Sequence, residues 1–321
     1  MKSVSRRNMV SFAALALMGG MVCAQSAWPT KPITFVVPQS PGGANDVIAR
    51  AVAQGLENSL GQPVVVENRP GANGNLGTGQ VARSAADGHT FLVTAQSAYT
   101  INPALYSRVP FDPIKDFTPV MQLAVAPYLL VVNPNFPAKN LNELVAYAKA
   151  NPGKVEYASA GNGTLNHLLG EMLKKQKGVE LLHVPYKGAS AAATDVVAGQ
   201  LPMTFGSFPG VMPFVASGKL RVLGVASDRP TTLAPEIAPL GKDLAVTSWY
   251  GLFAPAGTPQ PIVDRLYQSI RAVLARPEMG ERFKTLGAER VESDPQSFKA
   301  MLPGELARWK QVVKDSGAHI D

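Results

Sequence analysis

The sequence predicts an α/β protein built as two lobes. Short runs of apolar, largely β-branched residues alternate with helix-like stretches, and the alternation occurs in two successive sets. The first set begins with ITFVV at 33–37 and the second with YLLVVNP at 128–134. These runs are continuous, as in strands whose two faces are both covered by helices. We therefore expect parallel sheets covered by helices in each lobe.

Length and composition fit that architecture. The chain has 321 residues, of which 46% are hydrophobic and 17% charged. That apolar content is enough for a sizeable core and too high for a disordered chain, and the length favours two domains over one. The basic residues are scattered and do not interleave with aromatic residues, so we expect no nucleic-acid partner.

The first 24 residues are interpreted as an export signal rather than as part of the fold. Three basic residues, the last of them Arg7, precede the apolar stretch 9–22, and small residues at 22–24 offer a cleavage site. The adjacent arginines also fit a twin-arginine signal, so Sec and twin-arginine export both stay open. Cleavage leaves 27 basic and 23 acidic residues, a net charge of +4, and removes Cys23, the only cysteine. The mature protein would then have no disulfide and no cysteine metal site.

Two chain crossings are expected between the lobes, where they would form a hinge. We assign residues 1–24 to a signal peptide, 25–124 together with 247–321 to the first lobe, and 125–246 to the second lobe. The C-terminal part begins with WYGLFAPAGTP, continues mainly as helix, and would rejoin the first lobe.

The glycine-rich loops do not match nucleotide-binding motifs. The loop in PQSPGGANDVIAR, at 38–50, lacks the GxxxxGK[ST] pattern of a P-loop. A GxGxxA pattern at Gly77, Gly79 and Ala82 lies inside a helical stretch, whereas a dinucleotide fingerprint opens its helix directly after the strand. We expect no cofactor.

The sequence shows no catalytic or metal-binding set. The histidines are not spaced as metal ligands, and neither a carboxylate pair nor a nucleophile–base pair is evident. YASAG at 157–161 has the shape of a nucleophile elbow but lacks its leading glycine. We therefore expect a protein that is not an enzyme. His183 is interpreted as structural, while His167, early in a helix after a glycine loop, fits either a structural role or a place in a site.

Polar, glycine-bearing loops that open helices are the remaining candidates for function. In open α/β sheets such loops share the carboxyl edge of the strands, where ligands bind. Glycine lets the backbone approach closely, and the free N–H groups of a helix's first turn favour an anion. Any one loop also fits an ordinary turn, but four of them in two lobes favour a small anionic solute in the cleft. They lie at 40–46, 94–100, 159–164 and 185–189.

A set of longer motifs, in order and through nearly all of the mature chain, carries a family resemblance: VVPQSPGGANDVIAR, VVVENRPGANGN, INPALYSRVPFDPIKDFTPV, HVPYKGASAAATDVVAG, GKLRVLGVASDRP and WYGLFAPAGTP. The chain resembles the Bug-type extracytoplasmic solute receptors, the substrate-binding components of tripartite tricarboxylate transporters. The resemblance implies a periplasmic-binding-protein-like type II flytrap that closes on a carboxylate-bearing solute. It also implies a periplasmic location and membrane transporter subunits as partners. We expect the protein to act as a monomer.

The resemblance further implies which residues wrap the carboxylate, partly through ordered water. Backbone N–H groups at Gly43 and Gly161 are expected as anion donors, and Ser159 and Thr164 as side-chain donors. Asp46 is expected to order its helix start, hold a water or receive a ligand's amine, because a carboxylate would repel it. The full predicted set is Gly42, Gly43, Asn45, Asp46, Ser97, Ser159, Gly161, Thr164, His167 and Tyr186.

Two departures from the family pattern, and two other functions, stay open. Gln39 stands where the family usually has an aromatic residue, and the segment 233–246 lacks the family's usual pattern. Trp249 and Tyr250 are expected to pack at the lobe crossing. A sensor subunit that signals to a membrane kinase would have the same sequence features, and a secreted hydrolase would need a nucleophile–base pair. Dicarboxylates, tricarboxylates, acidic amino acids and aromatic acids all remain candidate solutes.

Overall fold

The computed structural model describes residues 28–246, 248–291 and 293–320, which form two separate β-sheets flanked by helices. We call each sheet with its helices a lobe. The predicted export signal lies outside the described residues. Within those ranges, none of the helices is both long and apolar enough to cross a membrane.

The first sheet combines parallel and antiparallel strands. Its order is β11-β4-β10-β3-β1-β2, with β1 parallel to β2 and β3, and β10 antiparallel to β3 and β4. Its strands are β1 (Ile33–Val37), β2 (Val64–Asn68), β3 (Thr90–Ala95), β4 (Phe117–Ala126), β10 (Ser248–Pro255) and β11 (Glu289–Arg290).

The second sheet is also mixed. Its order is β7-β6-β8-β5-β9, with β6 parallel to β7 and β8, and β5 antiparallel to β8 and β9. Its strands are β5 (Tyr128–Val132), β6 (Val155–Ser159), β7 (Leu181–Pro185), β8 (Met203–Ser207) and β9 (Arg221–Val225).

The expectation of parallel sheets is therefore correct for β1 to β3 and for β6 to β8 but wrong for the other strands, and the chain crossings explain why. Strands β5 and β10 enter their lobes from the other lobe. Each begins at the edge where the parallel strands end: Tyr128 pairs with Ser207, and Tyr250 with Ala95. A strand that starts at that edge can only run back antiparallel to its neighbours. Helices cover both faces of these strands whether a strand runs parallel or antiparallel to its neighbours. The apolar pattern of its sequence therefore does not show in which direction the strand runs.

The helices follow the predicted alternation with the strands. In α8, for example, Val263, Leu266, Ile270 and Val273 are buried at spacings of three and four residues, which is the one apolar face of a helix packed on a sheet. The helices are α1 (Ala44–Leu60), α2 (Asn75–Ala82), α3 (Asn102–Leu105), α4 (Leu141–Ala150), α5 (Leu165–Lys177), α6 (Ala189–Val197), α7 (Phe208–Ala216), α8 (Gln260–Leu274), α9 (Pro277–Thr285) and α10 (Pro295–Ser316).

The GxGxxA pattern lies within α2 and serves close packing. A Cβ atom at Gly77 would lie 2.6 Å from the carbonyl oxygen of Arg69, and one at Gly79 would lie 2.7 Å from Cγ of Pro110. Neither position has room for a side chain, so packing alone explains both glycines.

The predicted crossings lie side by side. The chain leaves β4 through Pro127 into β5 and returns to the first sheet at Ser248, which pairs with Ala126. Trp249 and Tyr250 are buried where the returning strand begins, as the sequence predicts.

Helix α10 packs against both lobes, which the sequence does not predict. Phe298 lies in the aromatic cluster of the first lobe, whereas Trp309 and Val313 lie in the core of the second. Pro303 and Gly304 fall between these halves; proline removes a helical N–H and glycine loosens the backbone. The second half of α10 thus belongs to the packing of the second lobe, and the predicted lobe boundaries stay a prediction.

This bridging contact predicts a large effect of one substitution. Trp309 is fully buried, so Trp309→Ala should lower the free energy of unfolding by about 3–5 kcal/mol. Urea denaturation of the chain without residues 1–24 measures the change. The neighbouring exposed Lys310→Ala is the control and should change it by less than about 0.5 kcal/mol. Equal effects of the two substitutions would contradict the bridging role of α10.

Candidate functional site

The predicted loops of both lobes line the edges that meet at the crossing. In the first sheet these loops follow β1 and β3, and in the second they follow β6 and β7. Because β5 and β10 begin at the same edges, the loops of each lobe open towards the other. The lobes touch here: a Cβ atom at Gly163 would lie 2.3 Å from Cδ2 of Leu105. The predicted loops therefore lie on facing edges of the two lobes, and we take the space between them as the candidate cleft.

Asp46 holds the first loop and the start of α1. Its buried carboxylate accepts hydrogen bonds from Gly42 N–H at 2.9 Å, Arg50 Nε at 3.0 Å and Asn68 Nδ2 at 3.0 Å. Burial alone would raise the pKa of Asp46, but the hydrogen bonds from Arg50, Gly42 and Asn68 and the charge of Arg50 outweigh it and lower the pKa. Of the roles expected for Asp46, the structure shows that of ordering the helix start. The Gly42 N–H is engaged in the same contact.

Asn45 holds the same loop through two hydrogen bonds of its side-chain amide. Its Nδ2 donates to the carbonyl oxygen of Val93 at 2.8 Å and to Oε1 of Gln39. Gln39, where this chain departs from the family pattern, thus accepts a hydrogen bond from the Asn45 side chain. Gly43 precedes α1 as its N-cap residue, and no side chain caps the helix start.

The loop after β6 is folded back on its own strand. Gly161 N–H donates to Ser159 Oγ at 3.0 Å, and Thr164 Oγ1 donates to the Gly161 carbonyl oxygen at 2.7 Å. The Ser159 side chain is fully buried. The Gly161 N–H and the Thr164 hydroxyl, which were expected to donate to a solute, thus donate to atoms of the same loop. These hydrogen bonds shape the loop. The contact of these residues with a solute stays a prediction.

His167 lies beneath this loop and supports it. Its Nδ1 accepts the Gly163 N–H at 3.0 Å, and its ring stacks on His183 at a centroid distance of 4.0 Å. Burial lowers the pKa of both rings; for His183 the nearby His167 adds to it, and the pKa falls to about 4. Burial thus favours the neutral form of both rings, and His167 holds the loop through the Gly163 N–H. The structure does not place the His167 ring in the cleft.

The two remaining predicted residues lie at the cleft edges. The Tyr186 hydroxyl donates to Asp195 at 2.6 Å; this hydrogen bond, with burial second, raises the pKa of Tyr186 to about 12. Ser97 is half-buried at the start of the turn Ser97–Ile101 that follows β3. Solute contacts of both residues stay predictions.

The structure brings together a serine and a histidine that the sequence did not pair. Ser159 Oγ lies 2.6 Å from His183 Nε2, because the parallel pairing of β6 with β7 sets Tyr157 opposite His183. The Ser159 hydroxyl also contacts both polar backbone groups of Gly161 and has no exposed surface. In this arrangement the Ser159 hydroxyl takes part in the internal hydrogen bonding of the loop. Among the described residues, no group of three or more His, Cys, Asp or Glu side chains is arranged to hold a metal ion.

A cavity of about 340 Å³ lies beside these loops and adds a third loop that the sequence analysis did not select. Its walls include Asn166 in the first turn of α5, Ser190 in the first turn of α6, and Ser207 with Gly210 at the start of α7. None of these three helices has a side-chain cap. Three helix starts without side-chain caps thus converge on one cavity, an arrangement that attracts an anion. In α7 the Phe208 N–H donates to the Pro127 carbonyl oxygen at 2.9 Å and Pro209 has no N–H, so Gly210 supplies the available N–H of that first turn. Serine followed by proline and glycine at 207–210 was the sequence signal for this third helix start.

A larger cavity, about 530 Å³, lies where the lobes cross, and several charged side chains of its lining are hydrogen-bonded within the protein. Glu305 accepts from Gln96 Nε2 at 2.6 Å, Arg290 donates to the Leu274 carbonyl oxygen at 2.6 Å, and Arg308 donates to that of Ala245. In the described part of the chain, no first turn of a helix lines it. Of these two cavities, helix starts line only the smaller one, and we take it as the candidate anion site on that ground.

The neutral histidines predict a pH-dependent stability. The pKa of His183 is about 4 in the folded chain, against 6.5 for an unperturbed histidine. Between these values the unfolded chain binds a proton that the folded chain does not, so the free energy of unfolding should fall as pH decreases from 6.5 to about 4. Urea denaturation across this window measures the fall. It should be smaller in His183→Gln and unchanged in the exposed control His319→Gln; an unchanged fall in His183→Gln would contradict the assignment.

Comparison with known proteins identifies the family. Residues 48–318 match the tripartite tricarboxylate transporter family receptor. Protein BugT of Bordetella pertussis is 36% identical over 314 residues, which is 96% of this chain and 96% of BugT.

Solved structures with the same fold include two that are over 30% identical. The structure of R. palustris Rpa4515 with adipate has a TM-score of 0.80 and 32% identity, and covers 91% of this chain and 100% of that one. The periplasmic binding protein BugD has a TM-score of 0.76 and 34% identity, with 91% and 99% covered. Together with the family match, these likenesses confirm the resemblance drawn from the sequence: the chain belongs to the tripartite tricarboxylate transporter receptor family.

Proposed function

We propose that the protein is a periplasmic receptor that binds a small carboxylate between its lobes and delivers it to a membrane transporter. One observation carries the proposal: three uncapped helix starts of the second lobe converge on one cavity at the edge facing the first lobe. Helix α1 begins, also uncapped, at the corresponding edge of the first sheet. The likeness to a family member bound to adipate supports the same solute class.

The available interactions are strong enough for such a solute. A hydrogen bond to a charged group contributes about 1.5–3 kcal/mol net. Four N–H groups from these first turns would then supply about 6–12 kcal/mol before the cost of association. Micromolar affinity requires about 8 kcal/mol. No arginine or lysine is needed in the site.

Closure of the cleft follows from contacts to both lobes. A solute that touches the first turns on both sides stabilises the closed arrangement over the open one. We propose lobes of 25–124 with 247–321 and of 125–246, which move about the paired crossings at Pro127 and Ser248. Helix α10 would bend at its central Pro303–Gly304 step, since its halves pack on different lobes.

Location and partners complete the proposal. The predicted signal peptide and the likeness to the periplasmic binding protein BugD support export to the periplasm. We infer that the protein acts as a monomer without a cofactor or nucleic acid, and that it carries its solute without chemical turnover. Its partners would be the solute and the membrane subunits of the transporter.

The proposal predicts selective binding of a carboxylate to protein that has been unfolded and refolded to remove any carried solute. Isothermal titration and thermal melting against mono-, di- and tricarboxylates, acidic amino acids and benzoate test it. A solute at about 1,000 times its Kd stabilises the folded state by about 4 kcal/mol and should raise Tm by several degrees. A well-folded protein that binds no member of this panel would contradict the proposal.

A matched pair of substitutions tests where the anion binds. One of them adds a charge at the rim of the cavity, by which we mean the starts of α5, α6 and α7. Ser190→Asp puts a carboxylate in the first turn of α6, where it suits the helix but repels an anion. Affinity for the bound carboxylate should fall at least about tenfold, with no loss of Tm. Asn142→Asp adds the same charge to the first turn of α4, away from the cavity, and should bind like the unmodified protein. Equal affinities of the two variants would contradict the proposed position of the anion.

A further inference from the structure

The cavity between α6 and α7 changes character along its length. Three of its polar side chains, those of Asn166, Ser190 and Ser207, stand at the helix starts, and the fourth is Thr204 on β8, whose hydroxyl donates to the Ala158 carbonyl oxygen at 2.8 Å. One turn further along the same helices the walls are apolar, formed by Ala193, Val211 and Phe214. A molecule that enters from the sheet edge therefore meets N–H groups and hydroxyls first and hydrocarbon afterwards.

Asn166 marks the rim as a place for a polar group. This side chain is only 5% exposed, and its Nδ2 donates to the Phe205 carbonyl oxygen at 2.5 Å. That hydrogen bond fixes the orientation of the Asn166 amide, so its carbonyl oxygen Oδ1 points away from the Phe205 carbonyl oxygen. No described residue donates a hydrogen bond to Oδ1. This oxygen can therefore accept a hydrogen bond from water or from a hydroxyl group of a bound solute.

The apolar part offers nothing to a second charge. Every side chain that lines the cavity in the described part of the chain is uncharged. The influence of a helix start fades beyond its first turn, so it does not extend to Val211 and Phe214. A carboxylate placed there would lose its water without gaining a cation, which is strongly unfavourable.

We propose that this cavity is the specificity subsite of the receptor and that it takes the uncharged aliphatic or aromatic arm of a monocarboxylate. The acid group stays at the rim on the first turns of α5, α6 and α7, and the arm runs between α6 and α7. The volume of about 340 Å³ lies at the lower end of small-molecule sites, so the arm is short. The inference rests on the proposed carboxylate binding and names the class of solute within it.

A matched pair of six-carbon acids tests the charge preference. Hexanoate and adipate have the same chain length, but adipate carries a second carboxylate at the far end. Isothermal titration of the refolded protein should give a Kd for hexanoate at least about ten times lower than that for adipate, because only adipate buries a charge among apolar groups. Adipate binding as tightly as hexanoate, or more tightly, would overturn the inference.

Two substitutions test the position of the arm. Ala193→Leu narrows the apolar part, so hexanoate affinity should fall at least about tenfold while propionate, which reaches only the rim, should be affected less than about twofold. Ala198→Leu, at the exposed end of the same helix, is the control and should change neither. Should Ala193→Leu fail to fold, Phe214→Ala enlarges the same space and should improve octanoate binding relative to hexanoate.

The outcomes separate the two proposals. Carboxylate binding with no effect of Ala193→Leu in a folded protein, or no gain for octanoate in Phe214→Ala, would overturn the subsite and leave the receptor proposal standing. Failure of every carboxylate to bind would overturn both.

Discussion

The direction in which the chain enters each lobe determines where a solute can bind. Strand β5 starts at the edge where β6, β7 and β8 end, and β10 does the same against β3. The crossings and the carboxyl ends of the parallel strands are thereby held at one place. The helix starts that follow those strands open where the two lobes meet. The solute that we propose at this place would touch both lobes.

The loop after β6 is shaped by hydrogen bonds among its own residues and with His167. Ser159, Gly161 and Thr164 satisfy one another, and the neutral ring of His167 holds Gly163 from below. Side chains that cap a helix would occupy the same N–H groups that an anion needs. The polar residues of this loop thus give it a fixed shape, while the first turn of α5 remains without a side-chain cap.

The sequence predicted what depends on local pattern, including the alternation of strands and helices and the family. It did not predict relations between distant segments. The 2.6 Å contact between Ser159 and His183 depends on the register of two parallel strands, and the placement of Trp309 in the second lobe depends on how α10 crosses the molecule. The start of α7 at Ser207 was visible as a Ser–x–Pro–Gly signal, but only the fold brings it beside α5 and α6.

The most direct test of this account is a map of the backbone amides that respond to a bound carboxylate, by ¹⁵N–¹H nuclear magnetic resonance of the refolded protein during titration. The account predicts that the largest shift changes occur at the first turns of α5, α6 and α7, around Asn166, Ser190 and Gly210, and at the start of α1 near Gly43. Shift changes confined to the larger cavity at the crossing, around Trp249, with those first turns unaffected, would contradict it.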